Sequence, residues 1–167
     1  MPSKLTSILI GALIYAVVGA IGAIISAASG GMQFVGGALG CIALIAGTAG
    51  AVWHYTSTYR LTIPAGQGAA LGAGAGAVGA LISWVLTWIL TSAGIMADPV
   101  EQARRQMEGQ GLTEEQMEMA LRWTETFTGP LGIVVGLAIG AILGAIIGAI
   151  AALIFKKGEA GPDLEAY

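Results

Sequence analysis

Charge is what this sequence has least of. Only 10% of its 167 residues are Asp, Glu, Lys or Arg, against about 25% in a typical soluble domain. From Leu5 to Val52 there is none at all. A water-soluble fold of this size could not cover such a stretch with polar groups. The surrounding solvent is therefore lipid, and a mean hydropathy of +0.80 agrees.

Other scarcities exclude particular chemistries. Cys41 is the single cysteine, which rules out an intrachain disulfide and a thiolate metal cluster. Between Gly40 and Ile42 it reads as a small apolar residue. His54 is the single histidine and cannot build a multi-ligand zinc site alone. It has no neighbouring acid to complete a hydrolase triad. A proton relay would need partners, so His54 reads as an interfacial residue bonded to backbone or water. Net charge is −3 with no basic run, so no nucleic-acid partner is expected. Spans free of Asp and Glu also argue against proton-coupled carriers, which place ionisable groups inside the bundle. The sequence predicts no catalytic residue, no cofactor and no metal, and hence not an enzyme.

What remains is apolar residue and glycine, 56% and 27 residues respectively. A spanning helix needs about 20 mostly apolar residues, and four segments meet that length: 5–28, 33–55, 67–95 and 131–155. They predict an all-α membrane protein, with residues 1–167 forming one four-helix transmembrane domain. The first two spans are joined by Ser29-Gly30-Gly31 as an antiparallel hairpin. The first apolar run is longer than a signal-peptide core of about 7–15 residues and is expected to be a retained anchor. Trp53, Tyr55, Tyr59 and Phe155 mark interfaces.

Four spans put Lys4, Arg60, Lys156 and Lys157 on one side and Arg104, Arg105 and Arg122 on the other. Counting Lys and Arg near the helix ends, both termini are expected in the cytoplasm of a bacterial inner-membrane protein. The loop 97–129 also carries seven acids, for a net charge of −4. Within it, Asp98-Pro99 is a helix start. Thr113-Glu114-Glu115-Gln116 is a capping box. Met117, Ala120, Leu121, Thr124 and Phe127 form an apolar stripe. The loop reads as a short extramembrane helical hairpin at the bundle mouth.

Gly74-Ala75-Gly76-Ala77-Val78-Gly79 matches the dinucleotide fingerprint Gly-x-Gly-x-x-Gly. The match fails on context, because the fingerprint must follow a strand and open a helix. The hydroxyls of Ser26, Thr48, Ser83, Thr87 and Thr91 are expected to bond between helices.

The fourth span carries glycine at unbroken four-residue intervals: Gly132, Gly136, Gly140, Gly144 and Gly148. The third repeats the interval with Gly68, Gly72, Gly76 and Ala80, the second has Gly36 and Gly40, and the first has Gly19, Ala23 and Ala27. In lipid, association rests on close packing, which small residues permit. Each four-residue step turns about 40° on an ideal helix, so the five glycines wind through about 160°. One straight neighbour cannot cover that groove, and the two halves are expected to meet different helices or one strongly crossed partner. The expected partners are the lipid bilayer and, through a glycine face, another copy of the chain or a membrane protein.

The four spans, the stretch Arg60–Gly68 (RLTIPAGQG), Asp98-Pro99, Gly111–Gln116 and the last helix ending in Lys156-Lys157 resemble the bacterial family domain of unknown function 4199. The resemblance implies a multipass inner-membrane protein with no assigned activity or site. The expectation is a non-enzymatic assembly or accessory protein packed through glycine-zipper faces. A small oligomeric channel or transporter is the alternative, and a membrane enzyme around His54 and Tyr59-Arg60 ranks third.

Overall fold

The computed structural model describes residues 3–28, 33–108 and 110–155. The turn at Ser29-Gly30-Gly31, the break at Gly109 and the stop at Lys156-Lys157 lie outside the described residues. Six helices and no strand are found among them: α1 Lys4–Ala28, α2 Gln33–Tyr59, α3 Ala65–Ser92, α4 Pro99–Met107, α5 Glu114–Thr128 and α6 Pro130–Ile154. α1, α2, α3 and α6 are each long and apolar enough to cross a membrane. The chain is an all-helical membrane protein.

The helix ends follow local chemistry. α2 runs past Tyr55 to Tyr59 and stops where Arg60 enters the left-handed region at φ 51°. The Leu61 N–H then donates to the Thr56 carbonyl at 3.2 Å, the six-to-one bond of a Schellman cap. Glycine usually takes this position because a Cβ is strained there. Here an arginine takes it and sets its charge at the negative end of the helix dipole. α3 stops at Ser92, short of the expected residue 95, because Gly94 adopts φ 71°. The Ile95 N–H donates back to Leu90 at 3.0 Å. In the extramembrane hairpin, Asp98 caps α4 through Val100 and Glu101, at 2.8 and 3.4 Å. Thr113 and Gln116 form the reciprocal capping box at 3.3 and 3.1 Å.

α3 is the hub of the bundle. It packs most extensively on α6 and also on α1, which packs in turn on α2. α2 touches both α3 and α6, whereas α1 and α6 do not meet among the described residues. α5 leans on α6 and on α4, but none of its described residues is buried. Its expected apolar stripe is half-buried at Met117, Ala120 and Leu121 and exposed at Phe127, whose ring stacks on Trp123 at 5.8 Å.

The interior is built from small residues. Ala12, Ala16, Ala43, Ala51 and Ala75 are buried, while Leu5, Leu9, Leu13, Val17 and Ile21 project outward from α1 at four-residue steps. Lipid solvates the large aliphatics, and small residues let the backbones close up. Larger buried side chains collect at the end of the bundle that holds the α2–α3 link, where Val52, Tyr55, Ile63 and Leu71 pack with Ala151 and Ala152. Ile63 pins the link itself into that cluster.

This inverted arrangement is testable with one pair of variants. Leu71→Ala removes a side chain with 0% exposure and should cost roughly 2–5 kcal/mol. Leu9→Ala trims one that is 48% exposed and should cost far less. Thermal unfolding in a neutral detergent measures both, and equal losses would contradict the packing.

Candidate functional site in the groove between α3 and α6

The two longest glycine series meet each other. Gly68, Gly72 and Gly76 stand opposite Gly148, Gly144 and Gly140, so the helices run antiparallel with backbone on backbone. A Cβ built on Gly140 would lie 2.8 Å from the Gly76 carbonyl oxygen, and one on Gly72 would lie 2.8 Å from the Gly148 Cα. Real Cβ atoms do not approach that closely. Glycine is needed at these rungs because the neighbouring chain fills the space. The contact gains dispersion and weak Cα–H···O bonds.

The other two glycines of α6 have different surroundings. Gly136 has nothing within 4 Å of where its Cβ would be. Gly132 faces the Phe127 backbone carbonyl at the α5–α6 corner, where Gly129 ends one helix and Pro130 starts the next. The series therefore divides: Gly140, Gly144 and Gly148 meet α3, Gly136 faces open space and Gly132 serves the corner.

The reason for the division lies on α3. Its small residues continue from Gly76 to Ala80, but the next four-residue step is Trp84, followed by Trp88. An indole cannot enter a backbone contact, and beyond Ala80 a groove lies between the two helices. One cavity lies in it, and a second adjoins it at Ser83 and Trp84, between α3, the start of α4 and the end of α5. The first, of about 290 Å³, includes Gly132, Gly136, Leu137 and Tyr15 in its wall. The other, of about 370 Å³, lies at the bundle mouth and is lined by Thr87, Thr91 and Asp98 with Trp88 and Phe127. Ser83 and Trp84 line both.

The hydroxyls behave differently from the interhelical bonding expected of them. Thr48 donates to the Leu44 carbonyl at 2.7 Å and Thr87 to Ser83 at 2.9 Å, each within its own helix. A carbonyl one turn back is the nearest acceptor when lipid offers none. The Ser26 side chain lies outside the described residues. Ser83 Oγ and Thr91 Oγ1 are screened from solvent and make no hydrogen bond among the described residues. Leaving such a group unpaired costs about 1–3 kcal/mol. Thr91 lines the mouth cavity, whereas Ser83 Oγ lies 3.9 Å from where a Cβ on Gly19 of α1 would be.

Among the described residues, one hydroxyl that bridges helices is one that residue spacing could not reveal. Ser7 Oγ lies 2.9 Å from His54 Nδ1 and ties α1 to α2. Ser7 has 0% exposure, so this bond is made inside the bundle. The α1–α2 crossing uses glycines outside the small-residue series of the first two spans. Its closest approach is Gly11 against Gly47, whereas Gly40 meets nothing within 4 Å and Gly19 only the Ser83 hydroxyl at 3.9 Å. Gly36 and Ala27 lie outside the residues whose side-chain surroundings are described. Gly74 and Gly79 of the fingerprint-like stretch pack on Ile8 and Tyr15 of α1. Cys41 is exposed on the outer face of α2.

The division of the glycine series makes a clear expectation. Gly144→Ala should push α3 and α6 apart and cost roughly 1–3 kcal/mol. Gly136→Ala should be neutral, or stabilising by roughly 0.5–1 kcal/mol through helix propensity. Melting curves in the same detergent decide it, and a comparable loss for both variants would refute the division.

No curated protein and no solved structure matches the chain. A family model described as "Protein of unknown function (DUF4199)" matches residues 8–157. With nearly the whole chain matched, the chain belongs to that family.

Proposed function

We propose that this chain is a non-enzymatic accessory protein of a bacterial inner membrane, a rigid glycine-packed bundle that holds a membrane-borne component in the groove between α3 and α6. The observation that carries this reading is the reciprocal contact of Gly68, Gly72 and Gly76 with Gly148, Gly144 and Gly140. Those faces are occupied within one chain, so they are not free to gather copies around a pore. What stays open is the groove beyond Ala80. His54 is engaged by a buried serine, which favours holding over catalysis. Both termini lie in the cytoplasm on this reading, with the acidic α4–α5 hairpin outside.

Mass in detergent and ion flux from liposomes test the reading together. A monomer that passes no ions is expected, and flux at the purified protein's native assembly size would replace it with the channel reading. Orientation has its own test in a Cys41→Ala background. An impermeant maleimide should label Glu115→Cys from outside intact spheroplasts and leave Thr58→Cys unlabelled, and the opposite pattern inverts the topology.

A further inference from the structure

We infer that the groove is a binding site for a cationic amphiphile: an organic ammonium head against Asp98, with its alkyl chain along the trough past Gly136. The inference rests on the holding role proposed above and names what is held. The two cavities adjoin at Ser83 and Trp84 and differ in chemistry. The mouth cavity is lined by Asp98, by Thr87 and Thr91, and by Trp84, Trp88 and Phe127. The inner cavity is walled by Tyr15, Leu137 and the bare Gly136 of α6.

The head chemistry follows from these groups. One oxygen of Asp98, Oδ1, caps α4. Among the described residues Asp98 has no Lys or Arg partner, because the two salt bridges there are Arg105–Glu101 and Arg122–Glu118. Aromatic faces beside an unneutralised carboxylate attract an organic cation and disfavour an anion. The surrounding loop, with three arginines against seven acids, adds to that field. No Lys or Arg lines the mouth cavity, so a phosphate would find no counter-charge. This selects a net cationic amphiphile over a phospholipid head. The tail chemistry follows from Gly136: with nothing within 4 Å of its Cβ position, the trough takes an alkyl chain.

The test uses the full chain in a neutral maltoside detergent. Trp53→Phe and Trp123→Phe leave Trp84 and Trp88 as reporters. Dodecyltrimethylammonium should change tryptophan emission saturably, and dodecanol, with the same chain and no charge, should bind at least tenfold more weakly. Asp98→Asn should weaken the ammonium at least tenfold while keeping the helix, since asparagine caps as well as aspartate; far-UV circular dichroism checks that. Gly136→Leu should weaken the dodecyl compound more than a hexyl one. Phosphatidylethanolamine added to the micelles should compete poorly. Equal binding of ammonium and alcohol, an unaffected Asp98→Asn variant, or competition by phosphatidylethanolamine at equal concentration overturns the inference. A flux-silent monomer that fails this test leaves the accessory role standing with a different occupant.

Discussion

The structure depends on the direct approach of two backbones, α3 and α6, through three reciprocal glycine pairs. In lipid, large apolar side chains gain nothing by turning inward, because the acyl chains solvate them equally well. The favourable term left is the contact of surfaces that can approach closely. Glycines at four-residue intervals supply such a surface, and the antiparallel match of Gly68, Gly72 and Gly76 with Gly148, Gly144 and Gly140 uses it on both helices. The small buried alanines of α1 and α2 extend the same logic to the rest of the bundle.

The same interaction explains where the protein is open. A backbone contact tolerates no side chain, so it ends where α3 changes from Ala80 to Trp84. The tryptophan does two things at once. It cannot enter the contact, and it lines the space beyond. Hydroxyls and a carboxylate then fall at the mouth of that space because α3 ends there and the Asp98 cap begins α4. The acid belongs to the extramembrane hairpin, yet it reaches a cavity whose inner wall is transmembrane. Polar chemistry thus sits at the membrane boundary, although the spans themselves carry no charge.

Much of this was legible from residue order. The four spans, the caps at Asp98 and Thr113, and the small faces of the third and fourth spans are local or periodic features. Each is decided by a few neighbouring residues. Boundaries were less legible, because Arg60 takes a left-handed position that usually marks glycine, so nothing near Tyr55 told the helix where to end. The His54 reading also fell short. Its partner, Ser7, is 47 residues away, and no spacing rule connects them.

The sequence alone determined that lipid is the solvent, how many helices cross it, and which faces carry small residues. Those properties follow from composition and helical period. Only tertiary structure decided which small faces meet. Gly11 and Gly47 close the α1–α2 crossing while Gly40 meets nothing within 4 Å, and Gly136 is left bare although its series continues on both sides. The physical reason is that a glycine stripe states only that a close approach is allowed. Whether a partner arrives depends on that partner's own register, and here on where Trp84 stops it.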